Sequence, residues 1–123
     1  MLKLIYSLAR KEGMSREAFQ RYWREVHAPL VAQAAPVLGI RRYVQAHSVE
    51  TALDEAFHAS RPLERPAYDG HAELWFDSEE AMVAALASAD GQAAAQRLLE
   101  DEAQFIDFTK SRMVLARENP VVG

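Results

Sequence analysis

Cysteine is absent from this 123-residue chain, which leaves no disulfide, no thiolate nucleophile and no Cys-ligated metal. Of the four histidines, His27 is the leading candidate. It ends the run Tyr22-Trp23-Arg24-Glu25-Val26-His27 and precedes Ala28-Pro29-Leu30. A half-buried imidazole titrates near neutrality and passes a proton in either direction. On an ideal helix His27 lies at the border of the apolar face, roughly 70° from its centre. From there the ring can reach past a sheet edge into a cavity. Pro29 cannot donate to the Glu25 carbonyl, so the helix must end or kink near Ala28 and that carbonyl needs another partner. The competing role for this imidazole is structural, capping a carbonyl at the kinked helix end.

Two further polar sets recur at strand spacing. Tyr43, Gln45 and His47 share one face of a strand. They suit a polar wall that orients a carbonyl or phenol, with His47 as a second acid or base. They suit equally an edge strand whose side chains are solvated. His71, Glu73 and Trp75 repeat the pattern on the next strand. A buried Glu73 would be a base with a raised pKa, but pairing with Arg41 or Arg42 is the favoured reading. Trp23, Tyr43 and Trp75 would supply aromatic walls. His58 is expected to be exposed. The four histidines fall on separate elements with no HExxH spacing, so no metal site is expected. A glycine-rich phosphate loop, a GxSxG elbow and a dinucleotide fingerprint are also missing. The expected chemistry is cofactor-free general acid–base work.

The elements that must position these residues follow from periodicity. Residues 2–9 alternate as a strand that is apolar on both faces, hence central. Ser15 is a helix N-cap, and Phe19, Tyr22, Trp23, Val26 and Leu30 form an apolar stripe. A second helical segment runs to about Val37, and Gly39 lets the chain turn. Residues 40–49 form the second strand. The stretch 50–69 is long for a connection and reads as a lid or excursion. It holds a short helix over 51–60 that Pro62 and Pro66 break, and Asp69-Gly70 signals a turn. Residues 70–77 form the third strand. Ser78 caps a helix that Asp90-Gly91 interrupts. The helix resumes from Gln92 to about Ala103, with Leu98 and Leu99 buried. Residues 105–117 read as the fourth strand, with Phe105, Ile106, Phe108, Met113, Val114 and Leu115 as core candidates, and 118–123 as a tail.

This order, βαββαβ, predicts one α+β domain over residues 1–123, a ferredoxin-like four-stranded antiparallel sheet with its helices on one face. The bare face would carry Tyr43, Val49, Trp75 and Met113 or Leu115. A monomer rarely leaves such a patch open, so a homodimer with two sheets face to face and a cavity between or beside them is expected. A net charge of -4 argues against nucleic acid. No apolar run approaches the roughly 20 residues of a membrane span. Met1-Leu2-Lys3 leads straight into a strand, without a signal-peptide pattern, so a cytoplasmic protein is expected.

Several blocks resemble the EthD family. They are Leu4-Ile5-Tyr6, Gly13 to Phe19, Tyr22-Trp23 with His27-Ala28-Pro29-Leu30, and Arg42 to His47. Asp69 to Ser78 and Asp101-Glu102 with Phe105-Ile106-Asp107 complete the resemblance. It implies a dimeric α+β barrel. It also implies kinship with proteins catalogued as oxidoreductases, and with related dehydratases, lactone isomerases and cofactor-free anthrone oxygenases. His27 carries over by motif, with Tyr43 and His47 beside it. The resulting expectation is a homodimer that binds a small, largely apolar carbonyl, phenolic or lactone compound and uses His27 to move a proton. Two rivals predict other outcomes. A ligand carrier or accessory subunit has the same cavity with no dependence on His27 protonation. A structural dimer has a filled interior.

Overall fold

The computed structural model describes residues 1–64 and 68–123. Its strands are β1 (Leu2–Leu8), β2 (Arg42–His47), β3 (Gly70–Phe76) and β4 (Arg112–Ala116). Its helices are α1 (Arg16–Tyr22), α2 (Ala28–Leu38), α3 (Ala52–Ser60), α4 (Glu79–Ala87) and α5 (Ala89–Glu102). A π-helical turn, Trp23–His27, joins α1 to α2, and a 3-10 turn, Phe108–Lys110, precedes β4. All pairings are antiparallel, and the sheet order is β2-β3-β1-β4. This is the expected ferredoxin-like α+β arrangement.

Local chemistry starts and stops the helices. The hydroxyls of Ser15, Thr51 and Ser78 accept from the amides of Ala18, Asp54 and Ala81 at 3.0, 3.2 and 3.0 Å. Each satisfies a first-turn donor that the helix itself cannot. Gly39 ends α2 at φ 72°, a left-handed conformation that glycine adopts without a side-chain penalty. Pro66, read from sequence as a helix breaker, lies outside the described residues.

The register fixes which side chains share a face. Tyr43 pairs with Leu74, Gln45 with Ala72 and His47 with Gly70. Leu4 pairs with Leu74, and Tyr6 with Ala72 and Met113. These residues therefore lie on the helix-covered side. Leu8, Phe19, Trp23, Ala72, Phe105 and Ile106 form the buried core there. The opposite face carries Lys3, Ile5, Val44, His71, Glu73, Trp75 and Val114. The expected bare face is thus corrected: Trp75 belongs to it, whereas Tyr43 and Met113 turn toward the helices. Val49 lies beyond β2 and is 68% exposed.

Other boundaries also shift. Phe105 and Ile106 are buried, but they precede the last strand, which starts only at Arg112. Phe108, Met113, Val114 and Leu115 are exposed, because β4 is an edge strand with few helical residues over it. The break between α4 and α5 falls at Ser88, whose hydroxyl accepts from Gly91 at 3.0 Å. Asp90-Gly91 lies inside the first turn of α5, where Gly91 packs against the Ala85 carbonyl. Leu99 is exposed, and of the predicted pair only Leu98 turns inward.

Candidate functional site

Helix and sheet meet at Trp23–His27. Pro29 removes a helical donor, and the chain responds with a π turn rather than an end: the Ala28 amide reaches back to the Trp23 carbonyl. That turn takes up one extra residue and rotates everything after it. On an unbroken helix Val26 and Leu30 would face inward. Instead Val26 is 43% exposed, while His27 and Val31 are buried at 5% and 3%. The expectation of a half-buried border histidine is corrected accordingly. The π turn brings the imidazole inside.

There it borders a cavity of about 280 Å³ between sheet and helices, near the lower end of small-ligand pockets. Leu4, Leu74, Phe76, Val31, Met82 and Leu98 make most of the wall apolar. The polar exceptions are His27, Tyr6, Tyr43 and Glu102. The cavity lies within this single chain, between its sheet and its helices.

The His27 Nδ1 sits 2.7 Å from Asp101 Oδ2, and the Tyr22 hydroxyl donates to Asp101 Oδ1 at 2.6 Å. A carboxylate accepts only, so Nδ1 carries the proton and Nε2 keeps its lone pair. Its partner is thus a side chain, not the backbone carbonyl of a structural cap. Burial lowers the His27 pKa, against the opposing pull of Asp101. The ring is neutral at pH 7 and ready to accept a proton. Next along α5, Glu102 is pushed up to about 7 by burial and by the Asp101 charge, with Tyr6 opposing. Tyr6 is in turn raised by burial and by Glu102. A neutral base and a carboxyl that is half protonated at neutrality thus border one apolar space.

The predicted second wall is partly assembled. Gln45 Nε2 donates to the Trp23 carbonyl and to the Tyr43 hydroxyl oxygen, both at 3.0 Å, and His47 Nε2 lies 2.8 Å from Gln45 Oε1. Of these three, only Tyr43 lines the cavity. His47 stacks against Trp23 with ring centroids 4.5 Å apart, behind the wall. Its expected place as a second acid or base in the cavity is therefore corrected. Trp75 and Glu73 are on the far face of the sheet. Glu73 pairs with Lys3, diagonally across on β1, at 2.8 Å, and not with Arg41 or Arg42. Arg41 pairs with Asp77, and Arg42 covers the Trp75 ring. His58 is half-buried over the Asp54 carbonyl rather than exposed.

The sequence reading missed Asp101, Glu102 and Tyr6 as site residues. One signal was available: three consecutive carboxylates, Glu100, Asp101 and Glu102, occupy the last turn of α5, where no basic residue offsets them. Negative charge is unfavourable at that end of a helix. No group of three or more metal-ligating side chains occurs among the described residues, and no helix among them is long and apolar enough to cross a membrane.

A family model for the EthD domain matches residues 11–109. No curated protein sequence matches the chain. Among solved structures, an ethyl tert-butyl ether D (EthD) family protein from Bacillus halodurans superposes with a TM-score of 0.64 at 19% identity, covering 97% of this chain and 99% of its own. A dimeric ferredoxin-like protein of unknown function from Thermobifida fusca gives 0.55 at 14%, covering 94% and 88%. A variant of SnoaB, a cofactor-independent oxygenase from Streptomyces nogalater, gives 0.57 at 12%, covering 98% and 95%. At these identities the likeness is one of fold.

Proposed function

The chain belongs to the EthD family, and on that footing we propose that it is a cofactor-independent enzyme acting on a small, largely apolar carbonyl, phenolic or lactone compound. His27 takes a proton from the bound compound to begin a dehydration, isomerisation or oxygenation. The observation that carries this reading is the Asp101–His27 pair at the wall of an apolar cavity. Asp101 stabilises the imidazolium that forms, and the apolar wall excludes competing water. Glu102, with its pKa near 7, returns or relays the proton. A neighbouring fold described as a cofactor-independent oxygenase is consistent with chemistry that needs no bound group. The working unit is a homodimer. The description of a similar fold as dimeric and the sheet face without helices, with Ile5 and Val44 partly exposed, both support this.

Aromatic ketones and lactones, screened by thermal shift, test the binding. Deuterium uptake at the α-carbon of 1-tetralone in D2O tests the proton transfer. Uptake should be catalysed by the protein and fall by at least about a hundredfold in His27→Gln. Binding without uptake in either protein overturns the proton transfer and leaves a carrier. No binding to any of these compounds overturns the ligand site itself. Light scattering that finds a monomer at micromolar concentration overturns the dimer.

A further inference from the structure

We propose that Tyr43 is the oxygen-recognising pole of the cavity, its hydroxyl fixed as a hydrogen-bond donor to a carbonyl or phenolate oxygen of the ligand by a relay through Gln45 and His47. The proposal rests on reading the cavity as a ligand site and adds a direction to it.

The argument begins at a backbone carbonyl. Trp23 O can only accept, so the Gln45 group 3.0 Å from it must be the amide nitrogen. Flipping the amide would set two acceptors against each other. With Nε2 so placed, its second hydrogen goes to the Tyr43 oxygen at 3.0 Å. Gln45 Oε1 then faces His47 Nε2 at 2.8 Å, so that nitrogen carries the proton. His47 Nδ1 is left buried without a partner, as fits a bare lone pair more readily than a stranded N–H. The chain thus runs one way: His47 donates to Gln45, and Gln45 donates to Tyr43. With its oxygen already accepting, Tyr43 has its own hydrogen to give. Among the described residues no acceptor takes that hydrogen, and Tyr43 borders the cavity.

Two poles follow. Tyr43 stands on the sheet side and His27 on the helical side of the same space. A ligand with a carbonyl oxygen at Tyr43 and an acidic C–H at His27 satisfies both. The proton passes from carbon to His27 Nε2, the C–H bonding pair moves into the carbonyl system, and the negative charge arrives on the oxygen that Tyr43 holds. No electrons leave the ligand, so this step needs no oxidant. Tyr43 is the residue that touches the ligand. Gln45 and His47 are positioning residues.

The test compares 1-tetralone with tetralin, which has the same rings and no oxygen. Affinities are measured for the wild type, Tyr43→Phe and Gln45→Met, with the infrared carbonyl stretch of the bound ketone as a second readout. In the wild type the stretch should lie below its value in an apolar solvent. Tyr43→Phe should weaken tetralone by about tenfold, restore the stretch and leave tetralin unchanged. Gln45→Met should weaken tetralone by a smaller factor. Equal loss of both ligands marks a merely structural tyrosine and overturns the proposal. So does an unshifted stretch in the wild type, which requires no variant to fold. If tetralone binds and exchanges deuterium but ignores Tyr43→Phe, the polarity fails while His27 stands. If neither ligand binds the wild type, both readings fail together.

Discussion

On the helix-covered face of the sheet, Tyr43, Gln45 and His47 bond in series to one another and to the Trp23 carbonyl. On the open face, His71, Glu73 and Trp75 bond to other residues rather than to one another. These are Ser7 at 2.9 Å, Lys3 at 2.8 Å and Glu118 at 2.6 Å, although the partners Lys3 and Glu118 also lie 3.8 Å apart. The residue types are similar, and both sets alternate along neighbouring strands. What differs is the supply of alternatives. Under the helices a polar group that loses its protein partner finds nothing else, so each bond depends on the next. On the open face the more exposed groups, Glu118 above all, can exchange a lost partner for water. Changes should therefore propagate on the covered side and remain local on the other.

The largest expected effect is electrostatic and lies on the covered side. Glu102 has a folded pKa of about 7, raised by burial from 4.5. The native state therefore holds its proton where the unfolded chain has lost it, and stability falls as pH rises. The full contribution is present below pH 4.5 and is gone above 7, a loss of about 3 kcal/mol. His27 acts in the opposite sense. Its depressed pKa means that stability present above 6.5 is lost as pH falls. Glu102→Gln should remove the alkaline decline and leave the acid limb. Urea unfolding of both proteins at pH 5 and pH 8.5 checks this. An equal decline in the variant would place the titrating group elsewhere.

Next in size is a single methyl group. Gly70 pairs with His47 at the end of β3, and its backbone is pressed against the Trp23 ring. A Cβ there would lie 2.8 Å from the Ala46 carbonyl oxygen and against two ring carbons of Trp23. Neither neighbour can give way cheaply. The indole is fully buried, and its backbone carbonyl anchors Gln45. Gly70→Ala should cost about 1–3 kcal/mol in chemical denaturation. It should also weaken tetralone binding by moving the relay behind Tyr43. A stable variant with unchanged affinity would break the claim that the covered side is one coupled unit.

The same contrast explains what could be read from the chain beforehand. Ser15, Thr51 and Ser78 announce their helices because a cap is a local event. Alternation likewise gives the parity of each strand, and Tyr43, Gln45 and His47 do share one face. It does not give the phase of one strand against the next, which depends on long-range register. That is why alternation alone places the Trp75 ring in a cavity wall that Leu74 and Phe76 occupy instead. Pro29 marked an irregular backbone. The direction of the resulting rotation could not be foreseen, because a π turn and a helix end satisfy the same missing bond. Asp101 and Glu102 meet His27 and Tyr6 across more than seventy residues of chain, and only the packing of α5 against the π turn joins them.

The smallest effect is expected on the open face, at Glu73. Its partner Lys3 also lies 3.8 Å from Glu118 and 4.5 Å from the centre of the Trp75 ring. Glu73→Gln removes one of several favourable contacts and leaves an amide that can still accept from the ammonium. The cost should be below about 1 kcal/mol, with tetralone affinity unchanged. Stability is measured at two protomer concentrations, because a partner bound to this face makes the folded state concentration-dependent. A loss that stays small at low concentration and grows at high concentration would place the dimer interface on the open face. A tenfold loss of tetralone binding would mean that the two faces communicate through the sheet, and the division between a coupled side and an independent one would fail.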